Sequence, residues 1–224
     1  MSNSFRMTAQ EWDACGNSHR MWTFLKRSKR FTLSDRKFYL IAAACCRTVW
    51  EYLVDDRSRR AVEMIEAIAD GHADKDALRQ TARDAYAAWA ALPPPPDQPA
   101  HWAASTVAYA VNTDPILAAL GGTRARFVAN FGVNADRQSE VMRDIVGNPF
   151  RPVRVAGECL RWNDHALAKI ARGVYEERAF ERMPILADAL EDAGCDNGDL
   201  LAHCRAGGEH VRGCWVVDLL LGKS

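Results

Sequence analysis

The sequence predicts an all-α protein, a bundle or irregular array of about nine to eleven amphipathic helices with one short extended segment near residues 151–156. Three observations carry that prediction. Apolar residues recur at three- and four-residue steps through most of the chain, which places them on one face of a helix. Ser, Thr, Asp or Asn repeatedly precede such runs, where their side chains can accept from orphan amide donors. Alternating character, which a half-buried strand needs, is confined to Arg151-Pro-Val-Arg-Val155.

The elements follow in order. Thr8-Ala-Gln-Glu11 is a capping box, with Trp12 in the first turns of the helix it opens. From His19 to Arg30 a second helix turns Trp22, Leu25 and Met21 inward and leaves Arg20, Lys26, Arg27, Lys29 and Arg30 on the other face. Ser34 caps the clearest helix, whose stripe runs Phe38, Ile41, Ala42, Cys45, Val49, Tyr52 and Leu53. Ser58 to Ala69 forms the next, with Val62 and Ile65 inside and Gly71 closing it in the left-handed conformation. Asp74 to Leu92 is an alanine-rich helix ended by Pro93 to Pro96, which cannot donate backbone hydrogen bonds.

Beyond the prolines, His101 to Phe131 is alanine-rich and broken at Gly121-Gly122, and Ala135 to Val146 reads as one more helix. Asn163 or Asp164 caps a helix to Glu177. Pro184 is a first-turn proline of a helix closed by Gly194. Asn197 or Asp199 starts a short helix to His203 or Arg205, and a final apolar helix follows Ala206-Gly-Gly208. The proline run divides residues 1–92 from 100–224, with 93–99 as linker or loop and the two helical parts packed as one domain.

Composition narrows the function classes. With 48% hydrophobic and 26% charged residues the chain has enough apolar material for a core and is not a disordered segment. Its 29 basic and 29 acidic residues cancel, so no global field draws it onto nucleic acid or an anionic membrane. Residues 1–60 are locally basic, and Trp22 or Phe31 could stack on a base beside the Arg20 to Lys37 face. A solvated charged face opposite an apolar stripe is nevertheless what any amphipathic helix shows, so nucleic acid is not an expected partner. No window reaches the roughly 18 to 20 apolar residues of a membrane span, and the start has no secretory stretch. Seven cysteines, an odd number with Cys45 and Cys46 adjacent, read as free thiols of a cytoplasmic protein. Arg47, Arg57, Arg59 and Arg60 lie beside Glu51, Asp55, Asp56 and Glu63, and local ion pairing is the expectation there.

Several segments carry a resemblance. Gly147-Asn-Pro-Phe-Arg-Pro-Val153, Tyr175-Glu-Glu-Arg-Ala-Phe180, Pro184-Ile-Leu-Ala-Asp-Ala-Leu-Glu191, His210-Val-Arg-Gly-Cys-Trp215 and Asp218-Leu-Leu-Leu-Gly-Lys223 are the main ones. Together with Ala44-Cys-Cys-Arg47, Trp50 and Asp56-Arg-Ser-Arg-Arg-Ala-Val62 they resemble an uncharacterised bacterial family frequent in planctomycetes. The resemblance implies a helical fold and transfers no catalytic residue.

Chemistry-bearing side chains concentrate at the C-terminus: Cys195, His203, Cys204, His210, Cys214 and Asp218. On a regular last helix His210, Cys214 and Asp218 fall at i, i+4 and i+8, a polar stripe on an apolar element. Imidazole, thiolate and carboxylate could hold zinc, with His203, Cys204 or Cys195 folded back across Gly207-Gly208 to complete a tetrahedral set. No Cys-x-x-Cys pair supports this, and ordinary core packing of these side chains is the leading reading. A cysteine nucleophile assisted by His210 is the other chemical option, without an evident oxyanion hole. No phosphate loop, nucleophile elbow or His-Glu-x-x-His pattern occurs. The functional expectation is therefore a helical interaction or regulatory module that binds another protein, since no assembled catalytic motif favours an enzyme. The alternative is a metal-binding protein or cysteine-dependent enzyme built on His203, Cys204, His210, Cys214 and Asp218.

Overall fold

A computed structural model of the chain describes residues 6–28, 31–93, 98–123 and 136–223. Among these residues there are twelve α-helices, short 3-10 turns and no strand, so the chain is an all-α helical array. The helices are α1 (Ala9–Asp13), α2 (Ser18–Arg27), α3 (Asp35–Arg47), α4 (Asp56–Ala69), α5 (Lys75–Ala90), α6 (Pro99–Ala110) and α7 (Pro115–Gly122). They continue with α8 (Asp136–Val146), α9 (Gly157–Glu177), α10 (Met183–Asp192), α11 (Gly198–Arg205) and α12 (Trp215–Leu221). No described helix is long and apolar enough to cross a membrane. The chain falls into two compact units, Met1–Met142 and Arg143–Ser224. The helices on either side of the proline run, α5 and α6, pack together within the first unit. Pro94 to Pro96 lie outside the described residues, as do Lys29 and Arg30 of the basic face.

Cap chemistry sets most boundaries. In α1 the Glu11 amide donates to the Thr8 hydroxyl and the Thr8 amide to the Glu11 carboxylate, the full capping box. Side chains of Asn17, Ser34, Asp55, Asp74, Asp114 and Asn197 cap six further helices. In the first unit α3 is central, packed by α4, α6 and α7, while α5 lies on α4 and α6. Every residue from Phe38 to Cys46 is buried, so α3 is enclosed all round and not only along the expected stripe. Small side chains such as Ala42 make this possible by letting a neighbouring backbone approach closely. Gly122 of α7 shows how close it comes: a Cβ there would stand 2.8 Å from the Ala42 carbonyl oxygen, and one on Gly121 would overlap the Tyr109 carbonyl.

Three expectations for this unit are corrected. The stripe of α3 does not continue as α-helix to Leu53; the helix ends at Arg47 and a 3-10 turn, Trp50–Tyr52, brings Val49 and Leu53 into the core. The alanine-rich stretch breaks at Val111 to Asp114, where Asp114 caps α7 with Pro115 in its first turn, while Gly121-Gly122 are helical because their missing side chains admit α6 and α3. The part of that stretch beyond Thr123 lies outside the described residues. Arg57 pairs locally with Asp55, as expected, but Arg47 forms a two-pronged ion pair with Glu66 of α4, at 2.6 and 2.9 Å. A second inter-helix pair joins Arg36 of α3 to Asp70 at the end of α4, at 3.3 Å.

In the second unit α10 packs on α9 and α11, and α12 on α9 and α11. Leu167, Val174, Met183, Leu186, Leu190, Leu200, Val216 and Val217 fill the core between them. Arg151 to Val155 has no strand pairing. Within α9, Asn163, Asp164 and His165 are all left-handed, with φ of 45°, 54° and 60°. These are the non-glycine types that best tolerate that region. Trp162 to His165 are non-helical, so α9 is two helical pieces, one from Gly157 and one that follows His165 and ends at Glu177, close to the helix expected after Asn163 or Asp164. The final helix is shorter than the sequence suggests. It begins at Trp215, because Gly213 takes φ 94° and Cys214, at φ −43° and ψ 127°, is non-helical, which ends any helical run through His210.

Candidate metal centre

Four side chains of the second unit converge: Asp144, His203, His210 and Cys214. One ligand-capable atom from each lies within 4.8 Å of all the others. Each is delivered by a different local device. Asp144 sits in the last turn of α8, three residues after the buried Val141, and points into the protein with the carboxylate buried. His203 stands near the end of α11, which Asn197 starts by accepting from the Leu200 amide at 3.0 Å. His210 lies in the loop that follows, and Cys214 is the residue that opens α12.

The loop is tied down at its middle. The Val211 amide donates to Asp144 Oδ2 at 2.8 Å, and the Cys214 amide donates to the Val211 carbonyl at 2.9 Å to form a tight turn over Arg212-Gly213. That turn returns the chain so that Cys214 faces the same point as His210, although no helix joins them. The i, i+4, i+8 stripe is therefore not the origin of the cluster. Asp218 is buried within α12 and is not one of the converging four, nor is Cys204, which is buried in the core beside Cys214. The structure brings together His203, His210 and Cys214 of the sequence candidates and adds Asp144, 66 residues before His210.

Geometry distinguishes the possible chemistries. His203 Nε2 lies 3.2 Å from Asp144 Oδ1 and 3.2 Å from Cys214 Sγ. His210 Nδ1 lies 2.7 Å from the same carboxylate oxygen and 4.0 Å from the same sulfur. Each imidazole thus turns a single nitrogen toward both acidic groups. A tetrahedral zinc with bonds of about 2.0 to 2.3 Å separates its ligand atoms by roughly 3.3 to 3.7 Å, so an ion at this point would part His210 Nδ1 and Asp144 Oδ1 from their hydrogen-bond distance and draw Cys214 Sγ toward His210. A nucleophilic relay needs a different layout, with opposite nitrogens of one imidazole facing sulfur and carboxylate.

Electrostatics agree. Burial pushes the Cys214 thiol well above its ordinary range and Asp144 adds to this, while the Val217 and Val216 amides favour the thiolate. Such a thiol is a poor nucleophile unless a cation stabilises its anion. Burial pushes Asp144 up as well, but its hydrogen bonds with His203 and His210 outweigh that and hold the carboxyl below its usual value. Among the described residues His210 Nε2 is buried without a hydrogen-bond partner, and the polar contacts of this ring run through Nδ1. A buried polar atom left unpaired costs about 1 to 3 kcal/mol, and a strong bond at the other nitrogen is the kind of interaction that offsets it. All seven cysteines are free thiols, with Cys195 the least buried. No protein-family model, curated protein or solved structure matches the chain.

Proposed function

We propose that the C-terminal unit is a metal-binding helical module in which Asp144, His203, His210 and Cys214 hold one ion of the zinc class. The single observation that carries this reading is the convergence of one atom from each of the four side chains on a common point. Two nitrogens, a thiolate and a carboxylate oxygen suit zinc and its cobalt surrogate; hard cations such as magnesium call for oxygen ligands. Asp144 would bind through Oδ1 alone, because Oδ2 already accepts from Val211.

The role proposed for the ion is structural. Four protein ligands complete a tetrahedral shell, whereas a hydrolytic zinc keeps one position for water. The ion would fasten α11, the loop after it and α12 to the end of α8, adding to the contacts that Asp144 already makes with His203, His210 and the Val211 amide. A module organised in this way serves binding to another protein rather than turnover of a substrate.

Elemental analysis of protein purified without chelator, with native mass spectrometry of the same sample, tests the proposal. The expected result is one zinc per chain, absent from His210→Ala and Cys214→Ser. Metal-free wild-type protein that also fails to take up added zinc or cobalt would sink it.

A further inference from the structure

His203 differs from the other three ligands in how it is held. Asp144 is fixed by the Val211 amide, Cys214 by its place at the head of α12, and His210 by burial of its side chain. The ring of His203 is instead packed edge-on against His210, with centroids 4.9 Å apart, and tilted against Trp215 at 5.1 Å. Its side chain keeps 19% exposure, the most open of the four. A ligating imidazole is ordinarily oriented by a hydrogen bond at its second nitrogen. At His203 the rings of His210 and Trp215 lie against the imidazole.

Trp215 is itself wedged. Gly147, φ 68°, follows the last turn of α8, and its amide donates to the Arg143 carbonyl at 2.8 Å. A Cβ at this position would meet the Trp215 indole at 3.1 to 3.4 Å. The indole therefore lies flush on backbone three residues beyond the ligand Asp144, while its chain neighbour is the ligand Cys214 and its ring touches the ligand His203. One side chain thus contacts or adjoins three of the four segments that supply ligands.

From this arrangement we infer that Trp215 is a positioning residue for the metal centre, setting the angle of the His203 imidazole in place of a second-shell hydrogen bond. The inference rests on the metal reading given above. Removing the indole leaves His203 free to rotate into solvent, so the ion loses a nitrogen ligand while the other three remain. Phenylalanine keeps an aromatic face against both His203 and Gly147 and preserves the site.

Cobalt(II) titration followed by its visible absorption is the test, because tetrahedral geometry and sulfur ligation give separate bands. Wild type and Trp215→Phe are expected to share one spectrum and bind within a few-fold of each other. Trp215→Ala is expected to bind about 10- to 100-fold more weakly, the usual effect of losing an outer-shell partner, with weakened tetrahedral bands and the thiolate band retained. Leu220→Ala, which truncates a core residue of the same helix, controls for loss of stability. If Trp215→Ala binds like wild type, or if Leu220→Ala weakens binding and alters the spectrum equally, Trp215 has no positioning role and the metal reading survives. If wild type gives no cobalt spectrum, the metal reading fails, and this inference with it.

Discussion

Asp144 bears the largest share of the polar contacts in the cluster, accepting at one oxygen from both imidazoles and at the other from Val211. Asp144→Asn keeps the shape and removes the charge. It should weaken zinc binding by more than about 10-fold in competition against a chromophoric chelator, a loss expected when an anionic ligand becomes neutral. Thiol reactivity offers an independent check at the same scale. Cys195 is half-buried, whereas burial holds Cys45 and Cys204 up at about 12 and keeps Cys46 and Cys214 well above the ordinary range. Mass-resolved alkylation near neutral pH should modify Cys195 first and leave these four until the protein unfolds. The sequence pointed to His203, His210 and Cys214 because ligand-capable residue types are dense there. Asp144 escaped because its partners are remote along the chain. The available signal was an acid three residues past Val141, on the apolar stripe of a predicted helix.

At the scale of elements, helix approach and inter-helix charge pairs decide more than helix propensity does. Gly122→Ala places a methyl 2.8 Å from the Ala42 carbonyl on α3, so the α3–α7 contact must open. A loss of about 2 to 4 kcal/mol in urea unfolding is expected, although alanine is the better helix former by about 1 kcal/mol. Glu66→Ala leaves Arg47, part-buried over Trp50, without its carboxylate, and should cost about 2 kcal/mol. The double variant with Arg47→Ala should recover part of that loss. The buried pair Cys45 and Cys46 also makes a prediction. Burial keeps both thiols neutral in the folded chain, whereas unfolded thiols ionise near their ordinary value. Between about pH 9 and 12 the unfolded state therefore sheds protons that the folded state keeps, and stability falls as pH rises by roughly 1.4 kcal/mol per group per unit. Unfolding midpoints measured across this range should decline for wild type and decline less for Cys45→Ala.

For the whole molecule, the two units should respond differently to metal removal. Hydrogen exchange after chelation should lose protection in α11, the 206–214 segment and α12, where three of the four candidate ligands lie, while α3 and α4 of the first unit keep theirs. Equal loss everywhere, or none, would contradict a structural ion confined to the second unit. What the sequence by itself determined was the all-α class and most helix starts, since periodicity and caps are encoded within a few neighbouring residues. Thr8, Ser34, Asn197 and Pro184 act locally, and their positions in the structure follow from that. Only the tertiary structure decided that α3 is enclosed on every side, that Gly121-Gly122 are a packing contact, and that Asp144 meets His203, His210 and Cys214. These depend on which distant segments the folded chain brings within a few ångströms of one another, and spacing along a sequence carries no record of that distance.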